Sequence, residues 1–380
     1  MDFNLTSEQK LLADSLARFF GSHYAFDARK AILASPDGFS REVWSKLAEM
    51  GLLALQVPAE HGGMGPAPVE TMVAMRAMGR ALSLEPYLTA AVLAPALVRS
   101  AATDAQKGEI LPAIASGERI LAFAHGEEGA RYDAAYVATT ATRSGARYVL
   151  RGRKAVVLHA TSADTLLVSA RTSGEAGEPS GISLFLVPPG AAGVRLVPYK
   201  TIDGRPAADV VLSDVDLGQD ALLGAEGAAW GSIASALSLG VAALCAEAVG
   251  ALDATLAATV EYTKTRKQFG APIAKFQALQ HRMVNMLVHV EQARSMSYLA
   301  TMRADDDDTR ERQRAVSAAK VMIGTACRAV GQEAVQLHGG LGVTDEMAVS
   351  HYFKRLLAID VSLGDTSHHV ERFIAATAAV

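Results

Sequence analysis

The runs Thr165-Leu166-Leu167-Val168 and Ile182-Ser183-Leu184-Phe185-Leu186-Val187 decide the fold class of this chain. Both are too short for a stable helix and carry β-branched or aromatic side chains. Glycine- and proline-bearing sequence separates them, as expected of short strands. Ala135-Tyr136-Val137-Ala138-Thr139, Ala155-Val156-Val157-Leu158 and Val210-Val211-Leu212 repeat the pattern, which predicts a compact sheet or barrel over residues 119–222. On either side the hydrophobic period becomes helical. Upstream, Thr6 or Ser7 can cap a helix carrying Leu11, Leu12, Leu16, Phe19 and Phe20. Phe39-Ser40-Arg41-Glu42-Val43-Trp44 opens a second helix, the glycine-rich loop His61-Gly62-Gly63-Met64-Gly65-Pro66 follows, and an apolar periodic run covers 69–97. Downstream, helical sequence resumes and is broken at Phe269-Gly270-Ala271-Pro272 and at Gly339-Gly340. The chain therefore reads as α+β in three parts: helical over 1–118, β over 119–222 and helical over 223–380.

Half of the 380 residues are hydrophobic and 20% are charged, which excludes a disordered chain. A net charge of -4 argues against a nucleic-acid partner. The two cysteines, Cys245 and Cys327, sit in apolar helical sequence and read as core packing. They are too few for a disulfide framework, so a reducing cytoplasm is the expected location. The N-terminal Met1-Asp2-Phe3-Asn4-Leu5-Thr6-Ser7-Glu8 is acidic and has no apolar core of signal-peptide length. Residues 227–246 carry no charge over a membrane-spanning length, but Gly, Ala and Ser dominate them. A helix buried in a bundle, not a span, is predicted there. Asp305-Asp306-Asp307-Asp308 reads as a solvated turn between helices.

Two further elements could carry chemistry. In Glu261-Tyr262-Thr263-Lys264-Thr265-Arg266-Lys267-Gln268-Phe269-Gly270-Ala271-Pro272-Ile273 a helix ends in a cationic turn. There Arg266 offers a planar fork for phosphate or carboxylate oxygens. In Gln336-Leu337-His338-Gly339-Gly340-Leu341-Gly342, the glycines allow close backbone approach to a ligand. Taken singly, the first is equally a solvated helix end, the second equally a helix cap, and His338 a packed side chain.

Together these elements resemble the acyl-CoA dehydrogenase family, and the resemblance covers the whole chain. The residues that carry it are Tyr262, Arg266, Gln268-Phe269-Gly270, Pro272-Ile273, Phe276-Gln277, Gln280, Gln336, Gly339-Gly340, Gly342 and Glu346. Within the family the chain looks most like the small subunits of pimeloyl-CoA dehydrogenase-type enzymes. The resemblance implies an N-terminal helical domain, a middle β-barrel or sheet domain and a C-terminal four-helix bundle. It implies FAD as cofactor, an acyl-CoA thioester as substrate, an electron-transfer flavoprotein or similar acceptor, and a dimer-of-dimers tetramer. It also implies that Arg266, Phe269, Gln336, Gly339 and Gly340 clasp the ADP part of an FAD bound mainly by a neighbouring subunit.

The family reaction uses a glutamate to remove the α-proton while the flavin accepts the β-hydride. Two positions carry that glutamate in the family, and here they are Leu363 and Gly240. Neither can take a proton. Substitutes are Asp365, two residues past Leu363, and Glu247, displaced from Gly240 by about 10 Å along the same helix face. In the β part the resemblance places Gly126 and Tyr132 where the family has Thr and Ser, and Val156 and Leu158 where it has an aromatic and a hydroxyl. Losing those donors should weaken a flavin site in this chain's own β domain. Three readings follow: a non-catalytic subunit of a heteromeric dehydrogenase, a self-sufficient flavoenzyme using Asp365 or Glu247, or a CoA-ester-binding scaffold without flavin.

Overall fold

The computed structural model describes residues 4–378. The N-terminal helices are α1 (Ser7–His23), α2 (Phe26–Ala34), α3 (Arg41–Glu49), α4 (Pro68–Ala81), α5 (Ala94–Ala101) and α6 (Asp104–Ala115). Strands follow: β1 (Leu121–Ala124), β2 (Thr140–Ser144), β3 (Arg147–Leu158), β4 (Thr165–Arg171), β5 (Ile182–Val187), β6 (Val194–Lys200), β7 (Pro206–Gly218) and β8 (Leu222–Leu223). The chain then turns helical again in α7 (Trp230–Thr265), α8 (Gln277–Arg303), α9 (Thr309–His338), α10 (Ala348–Val361) and α11 (Thr366–Ala378). Helices, sheet and helices thus appear in the expected order. Local chemistry sets the starts: Thr6 caps α1 in a reciprocal box with Gln9, and Ser40 caps α3 through the Val43 N–H. In the acidic turn, Asp308 accepts the N–H groups of Arg310 and Glu311 and so caps α9.

The 69–97 run is not one helix. Leu82 takes a left-handed φ of 54° just after α4, and Pro86 follows, so the helix stops. A fully buried π-helical stretch, Leu88–Leu93, then leads into α5.

In space the chain forms two compact units whose boundaries do not follow the three consecutive parts. One unit holds the N-terminal helices to Ala31, Pro68–Ser83 and the described chain from Val241 onward. α4 belongs here because glycines let it lie against α7 backbone to backbone. A Cβ on Gly79 would stand 1.9 Å from the Glu247 carbonyl oxygen, and one on Gly250 1.9 Å from that of Arg76. Asp253 adds ion pairs to Arg76 and Arg294, each 2.7 Å. The C-terminal part carries five helices among the described residues, where four were expected, and α8, α10 and α11 all pack on α9. α7 is long and apolar enough to cross a membrane by length and composition, yet 83% of its most apolar window is buried within the fold.

The other unit comprises Ile32–Ala67 and Leu84–Gly240 and contains the sheet. Its strand order is β6-β7-β3-β2-β4-β5-β8, with β1 parallel to β4. Among the described residues β6 and β8 do not pair, so the sheet is open rather than a closed barrel. β4 is buried along nearly its whole length, whereas β6 is largely exposed and carries Pro198, as suits an edge. Tyr148, Leu150, Val168, Phe185 and Val210 fill the core of this unit.

One expected strand is absent: Ala135 lies in a turn and residues 136–139 form no ladder, although the Thr139 carbonyl accepts the Arg171 N–H at 2.8 Å. Side chains satisfy much of the remaining backbone. The Ala138 and Thr139 N–H groups donate to Glu127 at 2.8 and 3.0 Å, while Arg171 donates to the Ala135 and Val137 carbonyls at 3.2 and 3.0 Å.

Candidate functional site

The Arg266 turn grows directly out of α7. The Arg266 N–H closes the last helical turn on the Tyr262 carbonyl at 2.8 Å, and a two-residue hairpin follows in which Lys267 faces Pro272 and Gln268 faces Ala271. Its two turn residues, Phe269 and Gly270, have φ values of 52° and 76°, the signature of a type I′ turn. Glycine adopts that conformation freely; phenylalanine adopts it under strain. The turn also leaves the Phe269 ring 91% exposed, in edge-to-face contact with Phe276. A strained, exposed aromatic contributes nothing to this chain's own core.

The second turn caps α9. Gly339 sits at φ 62°, ψ -145°, a region essentially closed to other residues. No atom lies within 4 Å of where a Cβ would stand on Gly339 or Gly340. Gly342, by contrast, is pressed against the Val335 backbone and serves packing. Gln336 and Arg266 are exposed, and among the described residues neither side chain makes a hydrogen bond or ion pair. The two turns are held together: Tyr262 stacks on His338 with ring centroids 4.3 Å apart, and its hydroxyl donates to the His338 carbonyl at 3.3 Å. His338 is the packed side chain expected of it, its Nδ1 bonded to the Ala334 carbonyl. These five clasp residues suit an anionic ligand: a free guanidinium, a free amide, an exposed ring and bare backbone.

That openness makes a prediction. Gly340→Ala should leave the unfolding free energy of the isolated chain, measured in urea, unchanged within about 0.5 kcal/mol, because the Cβ enters open space. Gly339→Ala should cost about 1–3 kcal/mol through backbone strain alone. Equal losses for both would show that the turn is packed after all.

The positions of the missing base are occupied by structure. Gly240 is buried within α7. Leu363 lies between α10 and α11 at φ 55°. His369 donates from Nε2 to its carbonyl at 2.9 Å. The buried Lys320 ammonium donates to the carbonyls of Ile359, Asp360 and Gly364 at 3.0, 2.7 and 2.7 Å. Burial lowers the affinity of Lys320 for its proton.

Neither substitute carboxylate is idle. Asp365 caps α11, its Oδ1 accepting the His368 N–H at 2.8 Å. Glu247 is 1% exposed and grips Arg355 through both oxygens at 2.7 Å. Arg355, 108 positions away, left no signal in the sequence pattern. Cys245 and Cys327 are fully buried, and burial pushes the Cys245 thiol up to about 12, so both are inert packing.

At the β-domain edge, the Gly126 carbonyl accepts the Ala155 N–H at 2.7 Å. Val156 forms a bulge at φ 54° and is 57% exposed. Its N–H is already shared between Tyr199 Oη and Asp209 Oδ1, at 3.1 and 3.2 Å. Arg153 completes this surface cluster by donating to Asp209 at 2.6 Å. Beneath it, sequence reasoning missed a buried polar tie. Lys154 is 0% exposed and donates to Glu127 at 2.6 Å and to Ser169 at 3.0 Å. Burial pulls the Lys154 ammonium down to about 8, against the attraction of Glu127. Scaffolding is thus intact at this edge, but Gly126 and Leu158 supply no hydroxyl, Val156 no large aromatic, and at 132 a bulky phenol stands where the resemblance calls for Ser. The exposed guanidinium, amide, ring and glycine backbone of the two turns fit the anionic part of a nucleotide, whereas positions 126, 156 and 158 offer a flavin ring no side-chain hydroxyl.

Comparison with known proteins agrees over the full length. Residues 6–118 match the acyl-CoA dehydrogenase N-terminal domain, 122–215 its middle domain and 227–377 its C-terminal domain. The chain is 30% identical to the 3-(aryl)acrylate reductase of Clostridium sporogenes, over 93% of this chain and 94% of that one. A variant of the Tcur3481-Tcur3483 steroid ACAD superposes with a TM-score of 0.87 at 29% identity, covering 98% of both chains. The ChsE4-ChsE5 complex of Mycobacterium tuberculosis contains a chain that superposes at 0.88 with 25% identity, over 100% of both. With its three domains matched in order, this chain belongs to the acyl-CoA dehydrogenase family of FAD-dependent oxidoreductases, which act on CH–CH groups.

Proposed function

We propose that this chain is the non-catalytic subunit of a heteromeric acyl-CoA dehydrogenase, lending its clasp to an FAD seated in a catalytic partner. The observation that carries this reading is the engagement of every candidate carboxylate. Leu363 and Gly240 have none, Glu247 is locked to Arg355, and Asp365 caps a helix. The unpartnered Arg266 and Gln336 and the bare Gly340 backbone support the complementary half. Two solved relatives carry paired names, Tcur3481-Tcur3483 and ChsE4-ChsE5, and a heteromer of two family members is the assembly we take from them. FAD, when bound, supplies the acceptor for the hydride leaving the acyl β-carbon. The work of this chain is to hold pyrophosphate oxygens on the Arg266 fork, admit the nucleotide against the Gly339–Gly340 backbone and cover it with Phe269. The partner's carboxylate takes the α-proton. The substrate class is a long, dicarboxylic or bulky acyl-CoA, as in the pimeloyl-CoA dehydrogenase type, and an electron-transfer flavoprotein or similar carrier takes the electrons. A dimer of dimers is the expected assembly.

The test is the flavin absorbance per chain, for this protein purified alone and after co-expression with a family partner. Colourless protein alone and one flavin per pair with the partner is the expected outcome. Yellow protein with one flavin per chain, bleached by an acyl-CoA, would establish the self-sufficient enzyme instead. Folded protein that stays colourless with every partner would leave the scaffold.

A further inference from the structure

We infer that Tyr262 and His338 form a brace that sets the spacing between the two halves of the nucleotide clasp, making both of them positioning residues for a site they do not themselves touch. The inference rests on the clasp reading above. Its starting point is that the ligand-facing groups of both halves stand clear of packing: Phe269 is 91% exposed, and a Cβ on Gly339 or Gly340 would enter open space.

Tyr262 stands one helical turn before Arg266, and its carbonyl accepts the Arg266 N–H. His338 is the residue directly before Gly339, at the end of α9. The stack, 4.3 Å between centroids at 22°, therefore joins the last residue before one turn to the root of the other. Around it, the carbonyl of His338 is one of the four at a helix end that lack an intrahelical partner, and the Tyr262 hydroxyl supplies one at 3.3 Å. The His338 ring cannot swing away, because Nδ1–H donates to the Ala334 carbonyl at 2.8 Å, which also sets the tautomer. Burial holds the ring neutral, below the usual imidazole range, with the Ala334 bond opposing.

Two other ties nearby link α7 and α9 only by way of α8. The Thr263 hydroxyl reaches the Met283 sulfur on α8 at 3.4 Å, and Arg282 on α8 pairs with Glu333 on α9 at 2.6 Å. These fix helix to helix. The Tyr262–His338 contact alone, among these three, adjoins both turns.

The measurement is the rate at which FAD leaves the complex of this chain with its co-expressed partner, followed by the rise of free-flavin fluorescence. Four single substitutions in this chain are compared: Arg266→Ala, Tyr262→Leu, Tyr262→Phe and Arg282→Met. Tyr262→Leu should release FAD about tenfold faster than the unaltered complex, the loss of an aromatic pair together with a hydrogen bond. Tyr262→Phe keeps the stack and should recover most of that change. Arg282→Met breaks a tie that does not join the two turns; it should lower the melting temperature without quickening release.

If Tyr262→Leu releases FAD at the unaltered rate while Arg266→Ala accelerates it, the brace is refuted and the clasp stands. If Arg266→Ala also changes nothing, the clasp reading itself fails. If Arg282→Met accelerates release as much as Tyr262→Leu does, general loosening explains the effect and the brace is again refuted. Should Tyr262→Leu fail to fold, a Tyr262→Phe release rate equal to that of Arg266→Ala overturns the assigned role of the stack.

Discussion

Glu247→Gln should destabilise the chain by about 3–5 kcal/mol, because it leaves the Arg355 guanidinium charged, buried and without its carboxylate. Arg355 is 5% exposed and Glu247 1%, so water cannot take over. The pair is bidentate, with both oxygens at 2.7 Å, and glutamine can offer only one acceptor to it. A catalytic base behaves differently: its amide variant folds normally and loses turnover. Urea unfolding followed by helical circular dichroism separates the two roles. Replacing both partners with apolar residues, as Glu247→Leu with Arg355→Met, should recover most of the lost stability, since no buried charge is then stranded. A Glu247→Gln chain that melts within about 0.5 kcal/mol of the original would return Glu247 to candidacy as a base.

Acid should weaken the same unit through His369, which is 2% exposed. Burial lowers its pKa to about 3, the Leu363 hydrogen bond opposes, and the charges of Lys320, Arg372 and His368 add to the lowering. The native state therefore holds the neutral ring, and the unfolded chain takes up a proton first as pH falls. Stability from this residue is complete above the ordinary histidine pKa of about 6.5 and drains away as pH falls toward the lowered value. At pH 5 the loss is about 2 kcal/mol. His369→Gln removes the titration while keeping an N–H donor for the Leu363 carbonyl. The difference between the urea unfolding free energies at pH 7 and pH 5 should accordingly shrink in the variant by about that amount. His338 and His351, also lowered by burial, contribute to the remaining slope in both proteins. An unchanged difference would mean that the ring is already protonated in the native state. The position matters because His369 and Lys320 together hold the turn that carries Leu363.

Much of the fold was legible because its signals are local. Thr6 with Gln9 and Ser40 with Val43 are capping contacts three residues apart, and the residues that make them can be read in a row. Short runs such as Ile182–Val187 became β5, and Gly339 ended α9 where a glycine was required. The 135–139 run misled for an equally physical reason. It has strand composition, but its polar backbone groups found Glu127 and Arg171 before they found another strand. Clasp residues were legible as two separate turns; nothing in their spacing announced that Tyr262 would meet His338.

The sequence by itself determined the order of helical and β parts, the capped starts of α1 and α3, the breaks at the two turns and the absence of a carboxylate at 240 and 363. Each depends on the residue present or on neighbours within about one turn of helix. Tertiary structure alone decided whether the remaining carboxylates were free. Glu247 could have faced a substrate until α10 brought Arg355 to it, and Asp365 became a cap only when α11 began beside it. It also decided that α4 would join the C-terminal helices, through glycine contacts between Gly79 and α7. Charge pairing and close packing between residues far apart in the chain leave no period to read, because any of several partners would satisfy the same side chain until the fold chooses one.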